Sequence, residues 1–149
     1  MGFLQRFLDG FSGKSRKRLP IEMALLGAPE HLVSEVRRMS DVEQEEAFLR
    51  FVEGKHACVL DWKARRDDIY AGLQPLLSPE ELRLLPLAEQ LPADPAGTIA
   101  ALRQALSGSG RRLVHTESYG DFSVLVLVPK DKEQEFIVSV GPWLIEDSS

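Results

Sequence analysis

Cys58 lies two residues after His56, and His115 follows at long range, so the chain holds the thiol and imidazole groups that a nucleophilic site would use. In a strand His56 and Cys58 share one face, too constrained for an ordinary dyad, and His115 reaches the thiol only if two strands are neighbours. A lone cysteine in an apolar run is ordinarily an inert core residue. His31, His56 and His115 lack the paired spacing of a metal site, and neither metal nor cofactor is expected.

The carboxylates offer a second chemistry. Asp61 interrupts the face formed by Ala57 and Val59, where an unpaired charge is costly. With Glu117 and Asp121 it could make an acid/base or metal cluster at one edge of a sheet. The plainer role, which we favour, is a carboxylate that caps the following turn or pairs with Arg65 or Arg66. "GKS" at 13–15 is not a phosphate loop, because residue 8 is leucine rather than glycine and no strand precedes it. No catalytic residue is assigned, and the chain is not expected to be an enzyme.

Several elements must position these groups. Phe3, Leu4, Phe7, Leu8 and Phe11 form one stripe of a short amphipathic helix, and "SGKSRKR" follows as a basic hinge, so residues 1–18 are set apart from a single domain at 19–149. "PIEMALLG" should be a helix that starts on Pro20 and stops at Gly27, with a third helix in "PEHLVSEVRRM". Ser40 and Glu43 make a capping box for a helix whose inner face is Ala47, Phe48, Phe51 and Val52 and whose outer face is acidic. "HACVLDW" is a strand, and Asp67 and Asp68 suit the first turn of the next helix, which Pro75 limits.

Ser78 with Glu81, and Asp94 with Pro95, open two more helices. "RRLVHTES" and "FSVLVLVP" form a hairpin around "YGD", the second strand central because both its faces are apolar. Residues 131–140 favour a helix by their ends and a strand by their Phe-Ile-Val-Ser-Val content; helix is preferred, with a last strand in "PWLIE". The expectation is an α+β fold, a helical N-terminal half on a mixed or antiparallel sheet of about four strands.

The chain has 149 residues and a net charge of −5, enough for one core. Residues 1–18 carry five cations against Asp9 alone, a local +4, which leaves −9 on the remainder. An acidic body argues against nucleic acid, which demands cations to displace phosphate counterions. With no long apolar run, no secretory pattern and one cysteine, a cytoplasmic location is expected.

"VLDWKARRDDIYAGLQPLL" and "RRLVHTESYGDFSVLVLVP" resemble a family of bacterial proteins catalogued as a domain of unknown function, number sixty-six thirty. The resemblance rests on Asp61-Trp62-Lys63, on Asp67 and Asp68, and on the late strand pair, and covers the C-terminal two thirds. It implies no activity and no site residues.

The leading expectation is a small protein-binding domain, in its concrete form an immunity protein that covers the active site of a basic toxin. Electrostatic steering by an acidic surface would speed such binding. Asp41, Glu43, Glu45 and Glu46 are the candidate charges, and Trp62 and Tyr119 the candidate aromatic anchors. Two alternatives stand beside it: a peripheral membrane or scaffold adaptor working through residues 1–18, and a weak hydrolase using Asp61 and Glu117.

Overall fold

The computed structural model describes residues 14–117 and 122–147. The N-terminal amphipathic stripe and the hairpin connection with Tyr119 and Asp121 lie outside them. Among the described residues seven α-helices pack on a three-stranded sheet. They run α1 (Lys14–Leu25), α2 (Glu30–Arg37), α3 (Asp41–Val52), β1 (Ala57–Asp61), α4 (Arg66–Leu73), α5 (Pro79–Leu82), α6 (Pro95–Ala105), β2 (Arg111–Glu117), β3 (Phe122–Pro129) and α7 (Glu133–Val140).

The sheet is antiparallel throughout, in the order β1-β3-β2. Side chains of β3 alternate between two apolar layers, as the two-residue period of a strand requires. Val124, Val126 and Val128 face one layer, with Ala57, Val114, Phe136, Trp143 and the inner residues of α1, α2 and α3. Leu125 and Leu127 face the other, with Cys58, Leu60, Leu113 and the inner residues of α4 and α6. Helices therefore cover both faces, and the central strand is apolar and buried on both sides from Val124 to Val128.

Local signals open three of these helices. Ser40 Oγ accepts from the Glu43 amide at 3.3 Å while Glu43 Oε1 accepts from the Ser40 amide at 3.1 Å. Ser78 and Glu81 repeat that exchange at 3.2 and 2.9 Å, and Asp94 caps α6 by accepting from the Gly97 amide at 2.7 Å. Gly54, at φ +78°, turns the chain from α3 into β1, a conformation that a residue with a Cβ adopts only at a cost.

Two boundaries differ from expectation. α1 begins at Lys14 rather than Pro20, so Lys14–Arg18 belong to the helix instead of a hinge, and the helix runs across the anticipated division at residue 18. Proline at a helix start is a preference, and here burial of Arg18, Leu19 and Pro20 in the body outweighs the hydrogen bond that Pro20 cannot donate. Among the described residues the expected last strand does not form. Gly141, at φ +55°, and Pro142 enter a 3₁₀ turn that drives Trp143 into the valine layer. Only Leu144 then bridges Thr116, with the Ile145 amide donating to the His115 carbonyl at 2.9 Å.

Candidate functional site

The register gathers the chemically interesting residues at one end of the sheet. Asp61, the last residue of β1, is paired with Phe122, and Glu117, the last of β2, with Ser123. Thr116 and Glu117 also share a shallow recess with Arg18, Glu45, Phe48 and Val124, which brings α1 and α3 to the same end. Glu45 is thereby placed beside the end of β2.

Asp61 is exposed and its work is local. Its Oδ1 accepts from the Lys63 amide at 2.8 Å and its carbonyl accepts from the Ala64 amide at 2.9 Å, a corner that turns β1 toward α4. β3 stands between Asp61 and Glu117, and two strand spacings put their backbones about 10 Å apart. Trp62, next on the corner, is 72% exposed, with the Lys63 ammonium 5.1 Å from its ring centroid.

The acidic helix is less uniform than its sequence. Glu43 and Glu46 are exposed, whereas Asp41 and Glu45 are half-buried. The Glu43 carboxylate is held by Ser40, whose amide donation lowers its pKa below the usual glutamate value. Gln44 is fully buried and donates to the Val36 and Met39 carbonyls at 3.1 and 3.4 Å, a tie to the end of α2 that the apolar spacing gave no reason to expect. The other aromatics serve the body: Trp143 is buried beneath the Arg18 guanidinium at 5.5 Å, and the Tyr70 hydroxyl donates to the Pro86 carbonyl at 2.8 Å.

Cys58 and His115 oppose the same residue, Leu125, from opposite sides, so β3 separates the thiol from the imidazole. Burial pushes the Cys58 thiol up to about 11, and the thiolate that a nucleophile needs is suppressed. His56 stacks on Phe51, with 5.2 Å between ring centroids, and burial followed by the charges of Arg111 and Lys55 lowers its pKa. Among the described residues no cluster of three or more His, Cys, Asp or Glu side chains has metal-binding geometry.

A linked set of side chains went unnoticed in the sequence. His115 Nδ1 lies 2.7 Å from Asp147 Oδ2, and His115 Nε2 lies 2.7 Å from Ser123 Oγ. Arg103 of α6 closes on the same carboxylate at 3.4 Å and donates to the Leu113 carbonyl at 3.1 Å. His115 and Ser123 come together because His115 pairs with Leu125, two residues along β3 on the same face. Asp147 arrives from the C-terminal segment that bridges β2. No spacing in the chain announces this set; hairpin register is the one signal that could have joined His115 to Ser123.

No helix among the described residues is long and apolar enough to cross a membrane. No family model matches the chain, and no curated protein or solved structure matches it significantly.

Proposed function

We propose that the chain is a small protein-binding domain and that its partner presents a basic surface, with neutralisation of a toxin domain as the concrete form. The observation that carries this reading is Trp62. A tryptophan 72% exposed at the corner after β1 contributes little to the core, yet it offers a partner a large apolar surface with a polar edge. The Asp61 hydrogen bond holds the backbone of the corner, which lowers the cost of ordering that backbone on binding. Glu45 and Glu117 at the same end, and a net charge of −5 on the chain, favour fast encounter with a cationic partner.

The test is affinity capture of the tagged full chain from its native cells, followed by binding kinetics with the partner recovered. Association should slow as salt rises, and Trp62→Ala should raise the dissociation rate at least tenfold. Glu46→Lys should slow association without that effect. Binding that ignores salt and tolerates Trp62→Ala would dismiss this reading.

A further inference from the structure

We propose that Ser123 is an activated nucleophile that takes the acyl group of an ester, with His115 as its general base and Asp147 as the residue that positions the imidazole. The arrangement contains all three links of such a relay in order. Ser123 Oγ, His115 Nε2, His115 Nδ1 and Asp147 Oδ2 follow one another with both hydrogen bonds at 2.7 Å.

The direction of the protons follows from the partners. An ionised carboxylate only accepts, so Nδ1 carries the imidazole proton toward Asp147. Nε2 of the neutral ring is then the acceptor, and the Ser123 hydroxyl donates to it. That is the tautomer a general base requires. The Asp147 side chain is 5% exposed, and the nearby Arg103 guanidinium balances its charge, so the carboxylate is buried without being isolated. The C-terminal segment is tied down around it: Arg103 also donates to the Asp147 carbonyl at 3.4 Å, and the Ile145 amide to His115.

Access distinguishes the serine from its partners. His115 is buried, but Ser123 is half-buried and stands second in β3, at the end of the sheet that carries the Trp62 corner. A groove of about 200 Å³ lined by His115, Asp147, Arg103 and Leu113 opens beside the imidazole and the carboxylate, and Ser123 lies outside its lining.

The chemistry balances without any further reagent than water. Ser123 Oγ forms a bond to the carbonyl carbon as its proton passes to Nε2. The bond to the leaving alcohol breaks, and the alcohol takes that proton. Water then loses a proton to Nε2 and attacks the acyl-serine; the carboxylic acid departs and Ser123 Oγ recovers the proton. This activity is independent of the binding reading.

The experiment is reaction of the purified full chain with a fluorophosphonate probe and with 4-nitrophenyl acetate, read by intact mass and peptide mapping. A single adduct on Ser123 of the folded protein is expected, absent from Ser123→Ala. His115→Gln should slow labelling by about 10²–10⁴-fold. Asp147→Asn, which keeps the backbone tie to Arg103, should flatten the rise of labelling rate with pH that the wild type shows, a change that a purely structural carboxylate would not produce. Thermal melting checks that each variant is folded. A folded wild type that takes no adduct, under conditions that label a serine esterase control, overturns the proposal without reference to any variant. An adduct formed at the same rate in folded Ser123→Ala or His115→Gln overturns it equally.

Discussion

On the valine side of the sheet, Arg18 Nε lies 2.6 Å from Glu22 Oε2, one helical turn along α1. On the leucine side, an Arg111 guanidinium nitrogen lies 2.6 Å from Glu81 Oε1, joining β2 to α5 across thirty residues. The chemistry is the same and the consequences are opposite. Glu22 is fully buried and its pKa is raised, because desolvation outweighs the charge and hydrogen bond of Arg18 and the hydrogen bond from Ser139. Glu81 keeps a pKa below the ordinary value, because hydrogen bonding from Arg111 outweighs the cost of its burial. The difference lies in the number of good donors and in water: Glu81 accepts at both oxygens from Arg111, at 2.9 and 2.6 Å, and Arg111 remains 26% exposed. A close ion pair is therefore no measure of stabilisation by itself.

The contrast can be broken most forcefully at Arg18. Arg18→Ala strands Glu22 in the core and should cost about 3–5 kcal/mol in urea unfolding. The paired change Arg18→Met with Glu22→Leu should recover most of that loss or exceed the wild type; a double variant as weak as the single one would show that the pair itself is stabilising. Arg111→Ala should cost less, about 1–2 kcal/mol, since solvent already screens the guanidinium and Ser78 still donates to Glu81. Ser78→Ala should cost about 1 kcal/mol by removing the hydroxyl that accepts from the Glu81 amide.

The pH profile sharpens the same comparison. Glu22 binds its proton more tightly when folded, so its contribution falls as pH rises from the ordinary glutamate value of 4.5 toward its raised folded value. Glu81 binds its proton less tightly when folded, so its stabilisation is present above 4.5 and is lost as pH falls through the lowered folded value. Unfolding free energies measured across pH should lose the first dependence in Glu22→Gln and the second in Arg111→Ala. Profiles that stay parallel to the wild type would refute the assigned shifts. The smallest expected effect is at the exposed corner, where Trp62→Ala should change stability by less than about 0.5 kcal/mol. A larger loss would mean that Trp62 supports the fold rather than a partner.

Legibility followed distance along the chain. Ser40 with Glu43 and Ser78 with Glu81 were readable because a capping box closes within four residues. The hairpin strands, the central place of β3 and the helix at Glu133–Val140 were readable from apolar alternation and end residues. Glu81 shows where such reading stops: its role as a cap was visible, and its partnership with Arg111 was not. The last strand failed because Trp-Leu-Ile has strand-forming side chains, while the position of Trp143 in the core dictated a turn. At the sheet end, Asp61 as a turn-former was legible, whereas the joining of His115, Ser123 and Asp147 was not.

By itself the amino-acid order determined where helices cap, which residues of each strand share a face, and how charge divides between residues 1–18 and the rest. These follow from hydrogen bonds a few residues long and from the periods of helix and strand. Only the tertiary structure decided which carboxylates are desolvated, which arginine meets which glutamate, and which hydroxyl meets the imidazole. Those outcomes depend on strand register and on the burial that packing two helical layers against one sheet imposes, and neither quantity is a function of neighbouring residues alone.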